Sequence, residues 1–85
     1  MGKVINPIGT KGQEIGAIVQ GLGHSLFEAL VWEQGEPLVT SLVDYRVPRL
    51  GDIPATLGVA SIEDGNGPGP FGAKGGGEGP IVPVA

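Results

Sequence analysis

The fold is decided by the stretch from Thr10 to Glu33, which reads TKGQEIGAIVQGLGHSLFEALVWE. Its apolar residues recur at the i, i+3, i+4, i+7 spacing that places side chains on one face of a helix. They are Ile15, Ile18, Val19, Leu22, Leu26 and Leu30. The pattern predicts one long amphipathic helix, the largest element of this 85-residue chain.

Local signals mark both ends of this helix. Thr10 and Gln13 fit a capping box, in which the hydroxyl and the amide bond free N–H groups of the first turn. Gly35 suits a left-handed C-terminal cap, and Pro37 cannot continue a helix. The sequence therefore predicts a helix from about residue 11 to about residue 33.

Three runs outside the helix predict strands. Residues 3–6 form a strand end that Asn-Pro stops, and the runs at about 38–44 and 56–63 are apolar and β-branched. Residues 65–80 contain 8 Gly and 3 Pro and predict a loop. We expect an α+β fold in which one long helix packs on a few strands and a Gly-rich loop follows. These elements are too few to close a core, so we expect a fragment of a larger domain.

The composition excludes several classes of function. A net charge of −4 and five scattered basic residues leave no basic stripe for nucleic acid. The chain has no Cys, and its single histidine, His24, is expected to be exposed or hydrogen-bonded rather than a metal ligand. No apolar run is long enough to span a membrane and no secretory signal opens the chain, so we expect a cytoplasmic protein.

One side of the predicted helix carries amides and glycines. Gln13 and Gln20 lie almost in line, at roughly 160° and 140° from the apolar stripe, two turns apart. Gly12, Gly16 and Gly23 lie between these amides and the stripe, although each glycine costs a helix about 1 kcal/mol relative to alanine. Either another backbone approaches closely here or a polar ligand lies in a groove beside the amides. The helical geometry alone favours the approach of a backbone.

The Gly-rich loop fits neither common nucleotide-binding pattern. Pro68 and Pro70 interrupt its G-x-G-x-x-G match and no helix is predicted after it, while Ala73 stands where a P-loop needs lysine. What remains is Lys74 and Glu78 among glycines. Bare N–H groups can bind an anion, and a glutamate there could transfer a proton. The alternative is a solvated linker in which both side chains are idle.

Six short motifs, in this order, resemble the molybdenum-binding subunit of the xanthine dehydrogenase and aldehyde oxidase family. Together they are distributed over almost the whole chain, from residue 2 to residue 78, and the bacterial branch that includes carbon monoxide dehydrogenase-like and aldehyde oxidase-like subunits is most similar. The motifs are GKVINP at 2–7, GQ at 12–13, VQGLG at 19–23, FE at 27–28, DYRVP at 44–48 and GPFGAKGGGE at 69–78.

The resemblance implies a molybdopterin site without a protein ligand to the metal. Glu78 would be the active-site base in an oxidative hydroxylation that takes its oxygen from water. The remainder of the molybdenum subunit and iron–sulfur and FAD domains or subunits would be the partners, and a small molecule the substrate. The implied cofactor-binding residues are Gln13, Gln20, Gly21, Gly23, Lys74, Gly75 and Gly77.

Two hypotheses follow for the chain. In the first, it is a fragment of a molybdenum hydroxylase that oxidises an aldehyde, a purine or other N-heterocycle, or a CO-type substrate. In the second, it is a non-catalytic docking fragment that is inactive alone, because the family's subunit is several times longer. Gly76 replaces an apolar residue that the family usually has, which should loosen the placement of Glu78.

Overall fold

The computed structural model describes residues 1–84 and is built around one helix. Helix α1 spans Pro7–Leu22, and one turn of π-helix, Gly23–Phe27, continues it. Strands β1 (Trp32–Glu33) and β2 (Glu36–Pro37) pair antiparallel. One long helix with a small sheet confirms the α+β class. Within residues 1–84, no helix has the length and apolar character needed to cross a bilayer.

The helix begins at Pro7, earlier than the predicted residue 11. Asn6 is its N-cap, since its side-chain Oδ1 accepts a hydrogen bond from the Gly9 N–H at 3.0 Å. Thr10 already lies inside the helix, where its own N–H donates to the Asn6 carbonyl at 2.9 Å. The capping box at Thr10 was therefore wrong. Asn followed by Pro is the stronger start signal, because Asn caps at least as well as Thr and Pro is favoured at the first helical position.

The helix also ends earlier than the predicted residue 33. Its last turn closes when the Glu28 N–H donates to the Gly23 carbonyl at 2.8 Å, and Glu28 itself is extended. Gly35, predicted as the helix cap, instead lies in the two-residue turn between β1 and β2. Gln34 and Gly35 both have positive φ, 50° and 86°, as a tight hairpin turn requires.

The predicted strands at 3–6, 38–44 and 56–63 do not form. None of these ranges belongs to a ladder in the part of the chain that the structure describes. A strand needs a neighbour that bonds its backbone groups in a repeated ladder, and these ranges form only isolated backbone bonds, such as that from the Leu38 N–H to the Val31 carbonyl. Residues 56–63 are irregular, and within 38–44 Ser41 accepts the N–H of Asp44 in a turn.

The Gly-rich loop folds back on itself and on the N-terminus. The Gly67 N–H donates to the Gly72 carbonyl at 2.9 Å, and the Gly69 N–H donates to Ala73 at 3.0 Å. The Gly72 carbonyl also accepts the Lys3 N–H at 2.9 Å. These bonds give the first half of the loop a defined path beside the N-terminal segment.

The chain has very little core of its own. Ala17 is the one buried hydrophobic residue in the described part of the chain, while side chains such as Trp32 and Leu42 are exposed. The radius of gyration is 16.3 Å, against about 12 Å expected for a compact domain of this length. Packing is concentrated where α1 meets the 3-10 segment Gly79–Val84.

We predict that the true cap can be told from the false one by mutation. Asn6→Ala should lower helix stability by about 1 kcal/mol, because the Gly9 N–H loses its acceptor. Thr10→Ala, the matched control, should change stability by less than half as much. Thermal unfolding followed by far-ultraviolet circular dichroism measures both. A larger loss for the Thr10 variant would contradict this assignment.

Candidate functional site

The structure brings the helix amide and the Glu78 loop together. A Cβ built on Gly77 would lie 2.9 Å from Gln13 Oε1, closer than a side chain there could tolerate unless Gln13 moved. Glu78 is the next residue along the chain and is exposed. The GQ motif therefore meets the residue that precedes the glutamate, although Gln13 and Gly77 are far apart in the sequence.

A strip of the helix surface close to this contact is uncovered. A Cβ on Gly12 or Gly16 would meet no atom within 4 Å, so no other segment of residues 1–84 approaches them. Gln20 is exposed on the same helix. Gly75, at the start of the glycine run before Glu78, also faces open space. These open positions and free amides fit a polar ligand that lies along the helix.

Gly21 and Gly23 are used inside the chain instead. A Cβ on Gly21 would lie 2.6 Å from the Ile81 carbonyl oxygen. A Cβ on Gly23 would collide with the Glu28 carboxylate and would lie 2.9 Å from Pro48 Cδ. Both glycines are buried. Other segments of this chain therefore approach both glycines closely. A contact between either glycine and a cofactor stays a prediction.

Lys74 is paired rather than free. Its Nζ lies 2.6 Å from Asp64 Oδ2, on the exposed side of the loop. The hydrogen bond from Lys74, followed by that from the Asn66 N–H, lowers the pKa of Asp64. The pairing offsets the lysine charge and fastens the loop to residue 64. A role for Lys74 towards a cofactor also remains a prediction.

Glu14 is a buried residue that the sequence reasoning missed. It is only 7% exposed, and the Ser61 hydroxyl donates a hydrogen bond to its Oε1. Glu14, Ala17 and Gly21 are the buried residues of α1, spaced i, i+3 and i+7. The small residues Ala17 and Gly21 were the available signal, because small side chains in line mark the face where another segment can approach.

A second polar cluster closes the end of the helix. The Tyr45 hydroxyl donates to Glu28 Oε2 at 2.8 Å, and His24 Nε2 lies 4.0 Å from the same oxygen. His24 itself is exposed. Residues 1–84 contain no group of three His, Cys, Asp or Glu side chains placed to hold a metal ion. The cluster orders the DYRVP segment against the helix end.

The chain belongs to the molybdopterin cofactor-binding domain family, whose model matches residues 1–54. This confirms the resemblance to molybdenum-binding subunits of xanthine dehydrogenase-type enzymes. No solved structure matches the chain.

Curated relatives match over nearly the whole chain. The gamma subunit of the 6-hydroxypseudooxynicotine dehydrogenase complex of Paenarthrobacter nicotinovorans is 47% identical over 91% of this chain and 10% of its own length. The xanthine dehydrogenase molybdenum-binding subunit of Escherichia coli is 35% identical over 99% of this chain and 11% of its own length. The nicotine 6-hydroxylase large subunit of P. nicotinovorans is 35% identical over 95% and 10%. The chain thus spans about a tenth of the length of these relatives.

The Tyr45–Glu28 contact gives a prediction that a titration can check. The hydrogen bond to Glu28, with burial and the Glu28 charge, raises the pKa of Tyr45 above its ordinary value. Glu28→Ala should lower this pKa towards about 10. Because Tyr45 is the chain's single tyrosine, phenolate absorbance against pH reports it alone.

The raised pKa of Tyr45 also makes the stability of the fold depend on pH. A tyrosine whose pKa is raised on folding stabilises the fold below its unfolded pKa, and this contribution is lost as the pH rises through the folded pKa.

The control for the Tyr45 titration is Glu36→Ala, since Glu36 is exposed in β2. An unchanged titration curve in the Glu28 variant would refute the contact.

Proposed function

We propose that the chain is the part of a molybdenum hydroxylase subunit that supplies the base Glu78 and amides to the molybdopterin. The observation that carries the proposal is the contact of Gln13 with Gly77. It unites the helix motif and the glutamate loop, the two parts of the chain for which the family resemblance implies a function. The match to a molybdopterin cofactor-binding family supports the same assignment.

The residues fit a large polar cofactor along the uncovered side of α1. Gly12 and Gly16 leave room for it, and Gln20 offers an exposed amide with both donors and acceptors. Gln13 would hold it where the helix meets the loop, and Gly75 would let the loop backbone come close. When bound, the cofactor supplies the redox chemistry, and the protein supplies position and a base.

Glu78 has the surroundings of a proton acceptor. It is exposed and lies between Gly77 and Gly79, so no neighbouring side chain hinders its carboxylate. Lys74, the lysine of the Gly-rich loop, is paired with Asp64 at 2.6 Å. Its charge is therefore offset by Asp64 and does not pair with Glu78. A carboxylate oxygen of Glu78 would accept the proton released as water oxygen is transferred to the substrate.

The names of the relatives support one substrate class. One is named for nicotine, a nitrogen heterocycle, and another for xanthine, a purine. We therefore favour an N-heterocycle, with an aldehyde or a CO-type molecule as the other possibilities. Iron–sulfur and flavin domains or subunits would carry the electrons away, since the chain has no cysteine to hold a cluster.

The role of Glu78 can be tested in a complete subunit. The matching segment of the 6-hydroxypseudooxynicotine dehydrogenase gamma subunit would be replaced by this chain, and Glu78→Gln introduced. Turnover should fall by about 10² to 10⁴, the usual contribution of a general base, while molybdenum content stays unchanged. The control is Glu36→Gln, the same change at another exposed glutamate, which should leave turnover and molybdenum content unchanged. Turnover near that of the unmodified chimera would disprove the role.

A second function, docking without catalysis, is favoured by the exposed apolar surface. Leu42, Val43 and Leu50 are each more than 80% exposed, and Trp32 is 57% exposed. A chain with one buried hydrophobic residue among those described needs more protein to cover these side chains. The 85 residues by themselves would then be a piece that docks onto the remainder of the subunit.

We predict that the 85-residue chain alone does not retain molybdopterin. Most of the protein that surrounds the cofactor in a full subunit lies outside these residues, since they span about a tenth of the relatives' length. Equilibrium dialysis with isolated molybdopterin measures this directly, with the chimeric subunit as positive control. Saturable binding to the isolated chain would show that these residues suffice and would count against a purely docking role.

A further inference from the structure

Residues 61–64 form a polar strap that ties three parts of the chain together. Each of the four residues accepts or donates a bond to a distant segment: to helix α1, to the N-terminus or to the Gly-rich loop. The bonds are Ser61 Oγ to Glu14, the Met1 amino group to the Ile62 carbonyl at 3.1 Å, the Val4 N–H to Glu63 at 3.0 Å, and Lys74 to Asp64 at 2.6 Å.

Of these bonds, the one between Ser61 and Glu14 is the best shielded from solvent. The Lys74 and Asp64 side chains are 37% and 42% exposed, so water and salt weaken their attraction. Glu14 is only 7% exposed. A hydrogen bond to a buried carboxylate contributes more than an exposed pair, and losing it leaves a buried charge unsatisfied. The Glu14–Ser61 bond is therefore the main anchor of the strap.

Glu14 also lies beneath the loop that carries Glu78. A cavity of about 480 Å³ separates them, and Glu14, Ser61, Gly75, Gly76 and Gly79 contribute to its walls. The loop residues of this wall flank Glu78 on both sides. Gly79 begins the segment that packs on α1, whereas Gly75 and Gly76 precede it and have no side chains to interlock with the helix. The position of Gly75 and Gly76 therefore depends on the polar bonds around them and on Met1, whose side chain lies against Gly76.

We propose that Glu14 is a positioning residue for the Glu78 loop. Its carboxylate fixes the strap to α1 through Ser61, and the strap in turn holds Lys74, where the run leading to Glu78 begins. Gln13, the residue before Glu14 on the helix, also contacts this loop, since its Oε1 would lie 2.9 Å from a Cβ on Gly77. The consequence for turnover rests on the proposed role of Glu78, whereas the effect on loop order does not.

The experiment uses the chimeric subunit with Glu14→Ala, Glu14→Gln and Ser61→Ala. Amide hydrogen exchange is followed in the peptide that covers residues 72–81, in which the N–H groups of Gly72, Ala73 and Ile81 donate to backbone carbonyls. The β1–β2 hairpin is the internal reference for global unfolding. Exchange of the loop should become about tenfold faster in Glu14→Ala and Ser61→Ala, because the anchoring bond is lost. Glu14→Gln should restore slow exchange, since its amide oxygen can still accept from Ser61.

Turnover is the second readout. In Glu14→Ala and Ser61→Ala, kcat should fall about 10- to 100-fold with a smaller change in KM, as expected when a base is misplaced by about 1 Å. Glu36→Ala should alter neither readout. Ser61→Ala, which removes a single hydroxyl, carries the test if Glu14→Ala does not fold.

The outcomes separate the two proposals. Unchanged loop exchange in Ser61→Ala overturns the positioning role of Glu14, whatever happens to turnover. Faster exchange that Glu14→Gln reverses, with turnover unaffected, supports the positioning role and contradicts Glu78 as the base. A uniform rise in exchange that includes the hairpin shows general destabilisation and also overturns the proposal.

Discussion

The close approach of α1 to the C-terminal segment is the contact on which the rest of the structure depends. It is possible because the helix presents Ala17 and Gly21 there; a side chain at Gly21 would lie 2.6 Å from the Ile81 carbonyl oxygen. Any residue larger than glycine would push Gly79–Val84 outwards, and Glu78 directly precedes that segment. A steric limit at one helical position therefore sets where the carboxylate can be.

Polar bonds and glycine contacts replace most of the apolar core that a free-standing domain would have. Ala17 is the one buried hydrophobic residue among residues 1–84, and the chain measures 49 × 32 × 20 Å. Large apolar side chains remain on the surface, where a solitary domain would gain by burying them. The arrangement is that of one part of a larger subunit, in keeping with relatives about ten times longer.

The glycines of the helix divide into two groups with different uses. Gly21 and Gly23 admit other parts of this chain, namely the Ile81 carbonyl and the Glu28 carboxylate. No other segment of residues 1–84 approaches Gly12 or Gly16, and these two positions leave an open strip beside Gln20. Close packing, which helical geometry favoured, is observed at Gly21 and Gly23, whereas ligand access at Gly12 and Gly16 stays a prediction.

Sequence alone determined what depends on local pattern: the presence of a helix, the α+β class, the Gly-rich loop and the family. Tertiary structure decided where the helix ends, because Gly35 could cap a helix or turn a hairpin and the neighbouring chain selected the hairpin. It also decided that the predicted strands stay unpaired, since a ladder needs a partner that periodicity cannot supply. The burial of Glu14 depends on Ser61, 47 positions away, and no local pattern encodes such a contact.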